Sequence, residues 1–134
     1  MPYSPEFRDH VLDLMAPLAH VEAKRMFGGL GFFYRDVMFA LASADVLYFK
    51  VDEAGRPPFE AAGSGPFTYR RSGGARALNS YWRVPDEVMD DAEAFLRWAR
   101  RAVEAGLAAA QAKAAKPRRV RLSRPGQAAV ERTG

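Results

Sequence analysis

Few side chains in this sequence are suited to chemistry, and their spacing sorts them quickly. His10 and His20 are its only two histidines, the one residue type that titrates near neutrality without help from its surroundings. They stand ten residues apart with no HExxH and no paired carboxylates, so they read as solvated helix residues rather than as metal ligands. Asp86, Glu87, Asp90, Asp91 and Glu93 gather in one stretch. Helix N-termini attract acidic side chains to their unsatisfied amides and dipole, so capping accounts for them without an acid and base pair. Ser64 lies in Gly63-Ser64-Gly65 with no GxSxG elbow and no partner for a nucleophile. Cysteine is absent, which removes thiolate nucleophiles, zinc–thiolate sites and disulfides together. No catalytic residue, metal or cofactor is expected.

Binding chemistry has more support. Arg25-Met26-Phe27-Gly28-Gly29 runs into the aromatic segment Leu30-Gly31-Phe32-Phe33-Tyr34. The glycines fit neither GxGxxG nor GxxxxGK[ST], and they open a strand instead of a helix. They read as a bend or close approach of the backbone, with Arg25 and nearby amides as a contact for an anion or peptide. Tyr48, Lys50, Tyr69, Arg70, Arg71 and Arg83 form a basic and aromatic set able to hold nucleic-acid bases or an acidic segment, if strand alternation puts them on one face. Tyr48 and Lys50 share a face by alternation; Tyr69 and Arg70 do not.

The net charge of +4 is unevenly spread. Residues 1–110 hold 13 Lys and Arg against 15 Asp and Glu, and residues 111–134 hold seven against one. The sequence thus divides into a mildly acidic domain over 1–110 and a basic tail over 111–134. Lys113, Lys116, Arg118, Arg119, Arg121 and Arg124 carry the tail, which lacks aromatic residues for stacking. It suits salt-sensitive phosphate contact without sequence preference, or serves as a solubilising end. No signal pattern and no uncharged apolar run of about 18 residues appears. The expectation is a soluble, cytoplasmic protein with no membrane partner.

The elements that position these groups follow from periodicity. Ser4 and Pro5 start a helix whose Phe7, Val11, Leu14, Met15 and Leu18 share a face, with an end or kink near Pro17. From Lys24 to Val51, short apolar runs broken at Gly28-Gly29, Arg35-Asp36 and Ala44-Asp45 predict consecutive antiparallel strands. Pro57 to Ala62 predicts a short helix. A second hairpin, Phe67–Arg71 and Arg76–Val84, turns at Ser72-Gly73-Gly74, with Leu78, Trp82 and Val84 on one face. Asp90 and Glu93 open a longer helix that buries Phe95, Trp98, Ala99, Ala102 and Val103. The order, helix, three or four strands, helix, two strands, helix, implies an α+β two-layer sandwich with helices on one face of an antiparallel sheet.

Six blocks carry a family resemblance beyond Arg25–Gly29: Met38–Leu41, Leu47–Asp52, Phe59–Ser64, Pro66–Tyr69, Tyr81–Pro85 and Trp98–Ala102. In this order they resemble the N-terminal domain of the bacterial TfoX/Sxy competence regulators over roughly residues 5–107. The resemblance implies a two-layer α/β unit similar to secretion-chaperone-like folds. It also implies a non-enzymatic regulator of transformation genes that works with the cyclic AMP receptor protein. Full-length regulators of that kind carry a second, helical C-terminal domain, where this chain has about 27 residues after Leu107. A transcription factor is the expected partner, docked at Arg25, Phe27, Gly28, Gly29, Tyr48 and Lys50; a homodimer and nonspecific nucleic acid are the other partners considered. A small-ligand or peptide module with a groove lined by aromatic strands is the alternative. If the tail makes about four or five phosphate contacts, DNA affinity falls a few hundred-fold between about 50 and about 200 mM salt. A chain ending at Leu107 then binds DNA more weakly than the whole chain in an electrophoretic shift, and equal binding would overturn the tail contact.

Overall fold

In the computed structural model, residues 3–26, 29–71 and 73–115 are described. Helix α1 spans Pro5–Met15. Its cap is as expected: the Ser4 hydroxyl oxygen accepts from the Phe7 amide at 3.1 Å, and Pro5 occupies the first turn, where its missing donor costs nothing. A 3-10 turn at Ala16–Leu18 follows, at the predicted end near Pro17.

Four strands come next: β1 (Val21–Met26), β2 (Gly29–Tyr34), β3 (Val37–Ser43) and β4 (Val46–Lys50). The two-residue connections Arg35-Asp36 and Ala44-Asp45 have positive φ throughout, 47° and 71° in the first and 53° and 59° in the second. That is the mirror-image hairpin turn whose twist matches the twist of its strands. Asp45 also accepts from the Ser4 amide at 2.7 Å, which ties the start of α1 to this turn. Helix α2 (Arg56–Ala61) leads to strands β5 (Pro66–Arg71) and β6 (Gly74–Arg83).

All pairings are antiparallel, and the sheet runs β1-β2-β3-β4-β6-β5. The second hairpin therefore inserts its later strand beside β4 and leaves β1 and β5 as edges. Helices α3 (Asp86–Met89) and α4 (Ala92–Ala115) complete the described chain. No helix among the described residues is long and apolar enough to cross a membrane.

One face of the sheet meets the helices. Leu30, Phe32, Phe39, Ala40, Ala42, Leu47 and Phe49 point into a core closed by Val11 and Met15 of α1, Phe59 of α2 and Phe95, Ala99, Ala102 and Val103 of α4. Phe49 and Phe95 meet edge to face at 5.4 Å, and Phe59 and Trp98 at 4.7 Å. A bulge skips Phe39 in the β2–β3 register, so Phe39 and Ala40 both turn inward. Against it lies the small face of α4: a methyl group on Gly106 would stand 3.0 Å from the Met38 carbonyl oxygen and 3.6 Å from Phe39 Cβ.

Two expectations need correction. Leu78 does not share a face with Trp82 and Val84. It pairs with Phe67, whereas Trp82 pairs with Pro66 and Phe49; the extra residues of β6 between Leu78 and Trp82 break the alternation. Also, Asp90 is not the cap of the long helix. Asp91 is, its carboxylate accepting from the amides of Glu93 and Ala94 at 3.1 and 3.2 Å, while Asp86 and Glu87 open the separate helix α3.

Steric need and turn strain give opposite mutational outcomes. A methyl on Gly29 would drive into the Ala42 backbone carbonyl, so Gly29→Ala lowers stability by about 1–3 kcal/mol in urea unfolding. Ala44, held at φ 53°, has a Cβ that this conformation disfavours; Ala44→Gly raises stability by about 0.5–1 kcal/mol.

Candidate functional site: the uncovered face of the sheet

Alternation that fills the core also loads the opposite face with large side chains, and no described helix covers them. Directly paired residues project to the same side of a sheet, so the register maps this face. Met26, Phe33, Met38 and Leu41 lie on its β1–β3 half, and Tyr48, Lys50, Phe67, Tyr69, Arg76, Leu78, Tyr81 and Arg83 on its β4–β6–β5 half. Most are half-buried against one another, and Leu41 and Tyr81 are fully buried.

On the first half, Gly31 makes the arrangement. The Met26 and Met38 sulfurs and the Phe33 ring edge lie 2.6, 3.1 and 2.9 Å from where a Gly31 Cβ would stand. They close over the bare backbone into a soft, adaptable patch, the kind of surface methionines make. Lys24 edges it, its ammonium 4.9 Å from the Phe33 ring centre and 3.8 Å from Asp36.

On the second half, the Tyr48 and Phe67 rings meet at 4.9 Å, above the strand that lies between theirs, and Phe67 and Tyr69 stack nearly parallel at 5.9 Å. Three aromatic rings thus form a row from the edge strand inward. Lys50 sets its ammonium 5.2 Å from the Tyr81 ring centre, and Arg83 faces Asp86 at 3.4 Å. Burial pushes the Tyr48 hydroxyl upward in pKa, while the Arg83 charge pulls it back. Tyr81 is pushed up to about 12 by burial alone; its hydroxyl donates to the Met38 carbonyl at 3.4 Å.

The expected partner residues do not come together. Arg25 pairs with Leu30 and therefore lies on the helix side of the edge strand, exposed, whereas Tyr48 and Lys50 lie on the opposite face in the middle of the sheet. Gly29 is buried under close backbone approach, as its type suggested. Phe27 and Gly28 lie outside the described residues, as do Lys116, Arg118, Arg119, Arg121 and Arg124 of the tail. Lys113 is exposed near the end of α4.

Within the basic and aromatic set, Tyr48, Lys50, Tyr69 and Arg83 do share a face. Phe67 and Arg76 join them unforeseen, although the i, i+2 spacing of Phe67 and Tyr69 already carried the signal. The other polar candidates are structurally engaged or solvated. Ser64 donates to the Arg83 carbonyl at 2.6 Å, and both histidines are exposed, with His20 edge-on to Tyr34 at 6.1 Å. On the helix side a cleft of about 410 Å³ opens between α2 and α4, lined by Phe59, Trp98, Arg101 and Glu104 among others. Its walls are mainly helical, unlike the strand-lined groove expected for a ligand module.

The family model of the TfoX N-terminal domain matches residues 13–106. No curated protein matches the chain.

The Tyr81 shift has a signed consequence. Between about pH 10 and about 12 the unfolded tyrosine has lost its proton and the folded one keeps it, so stability falls as pH rises through that window and is unaffected below it. Tyr81→Phe removes this alkaline loss, measured by urea unfolding at a series of pH values.

Proposed function

Since the chain belongs to the TfoX N-terminal domain family, we propose that it is a non-catalytic regulatory domain that docks a protein partner in the cytoplasm. The partner class is a transcription factor such as the cyclic AMP receptor protein, and the setting is control of competence-like genes. One observation carries the reading: Met26, Phe33 and Met38 cluster over Gly31 on a sheet face that no described helix covers. A sheet apolar on both sides and covered on one is suited to a second protein surface, and thioether side chains adapt to the partner's shape. The non-catalytic part is supported by where the polar groups are spent. Asp91 caps α4, Ser64 holds a backbone carbonyl, and the histidines are solvated.

Titration calorimetry of the chain against purified cyclic AMP receptor protein checks this. Met38→Glu places a charge in the apolar patch and weakens binding at least about tenfold, since burying an unpaired carboxylate is costly. Lys113→Gln, at an exposed position on α4 across the sheet from the patch, leaves the affinity unchanged. Equal affinity of wild type and Met38→Glu, or no heat from either, would sink the docking reading.

A further inference from the structure

The β4–β6–β5 half of the uncovered face differs in chemistry from the methionine patch beside it. It carries three ring systems in contact, Tyr48, Phe67 and Tyr69, each half-buried with part of its surface open to solvent. It also carries three cations, Lys50, Arg76 and Arg83, and the register places no carboxylate of β4, β5 or β6 on that side among the described residues. Lys50 and Arg76 enter none of the ion pairs found among those residues. The strands of this half thus concentrate positive charge on one side, within a segment, residues 1–110, that is slightly acidic overall.

Flat rings flanked by cations match a ligand that alternates flat rings with anions. We propose that this half of the sheet binds single-stranded nucleic acid, with bases stacked on Tyr48, Phe67 and Tyr69 and phosphates held by Lys50, Arg76 and Arg83. A duplex hides its base faces in its own stack, and this half of the face is a sheet rather than a helix or ribbon that would enter a major groove. An acidic protein segment would satisfy the cations but leave the rings without flat partners. The site goes beyond the protein-docking patch and uses different residues, so a regulator of this build holds a protein and a nucleic-acid strand side by side.

Fluorescence anisotropy with the full chain tests it, using a labelled oligothymidylate of about 16 nucleotides, a length covering one single-strand site, and a duplex of equal length. The basic residues beyond α4 attract the duplex at least as strongly as the single strand, because its charge density is higher, so a preference for the single strand reports the sheet face. Wild type prefers the single strand. Phe67→Ala with Tyr69→Ala lowers single-strand affinity by about five- to a hundredfold or more and leaves duplex affinity unchanged. Arg76→Gln, at an exposed position that does not challenge folding, reduces the salt slope for the single strand by about one. The proposal is overturned if wild type shows no single-strand preference, if the ring variant loses both probes equally or neither, or if Arg76→Gln leaves the slope unchanged. It is likewise overturned if polyglutamate displaces the oligonucleotide as well as unlabelled oligothymidylate does, which would assign the face to an acidic protein segment. None of these outcomes bears on the Met38→Glu titration.

Discussion

The close approach of α4 to β3 governs this fold. Ala99, Ala102 and Gly106 give the helix a surface of small residues, and the absent Cβ of Gly106 lets it rest on the Met38 and Phe39 backbone. The Phe39 bulge completes the contact by turning two consecutive side chains inward where regular alternation would send one outward. Dense packing of this kind contributes because every ångström of gap forfeits dispersion contacts. With α4 seated there, α1, α2 and α3 find places beside it, and all four helices lie on one face.

That one-sidedness creates the uncovered face. A strand pointing alternate residues to opposite sides cannot fill a core with Leu47 and Phe49 without presenting Tyr48 and Lys50 on the other side. Six strands repeat the constraint, and their outward residues fall into two chemically distinct halves. Gly31 gathers Met26, Phe33 and Met38 on one half; insertion of β6 beside β4 draws Tyr48 toward Phe67 and Tyr69 on the other. A methionine-rich patch and a ring-and-cation platform are neighbours because one sheet carries both.

Much of the architecture was legible in local pattern. Ser4 before Pro5 announced α1, Arg35-Asp36 and Ala44-Asp45 announced the tight turns, and the alternation of residues 47–51 announced which side chains face the core. Acidic residues at 86–93 were rightly read as helix starts, although the pattern put the cap at Asp90 and gave residues 86–89 no helix of their own. Asp90 and Asp91 are equally good caps by type, and only the path of the chain decides which carboxylate reaches the free amides. Leu78 was assigned to the wrong face because extra residues in β6 shift its phase, and a bulge leaves no composition signature in a strand.

Amino-acid order alone determined α1, α2 and the body of α4, the tight turns, the charge division between residues 1–110 and 111–134, and the family, because each of these is written in neighbouring residues or in short ordered blocks. Tertiary structure decided which residues meet. Arg25 and Lys50 look like one basic contact in the sequence, yet sheet register puts them on opposite faces. Tyr48 and Phe67 stand nineteen positions apart and touch at 4.9 Å because strand order, a nonlocal property set by packing across the sheet, brings β5 and β4 to either side of β6.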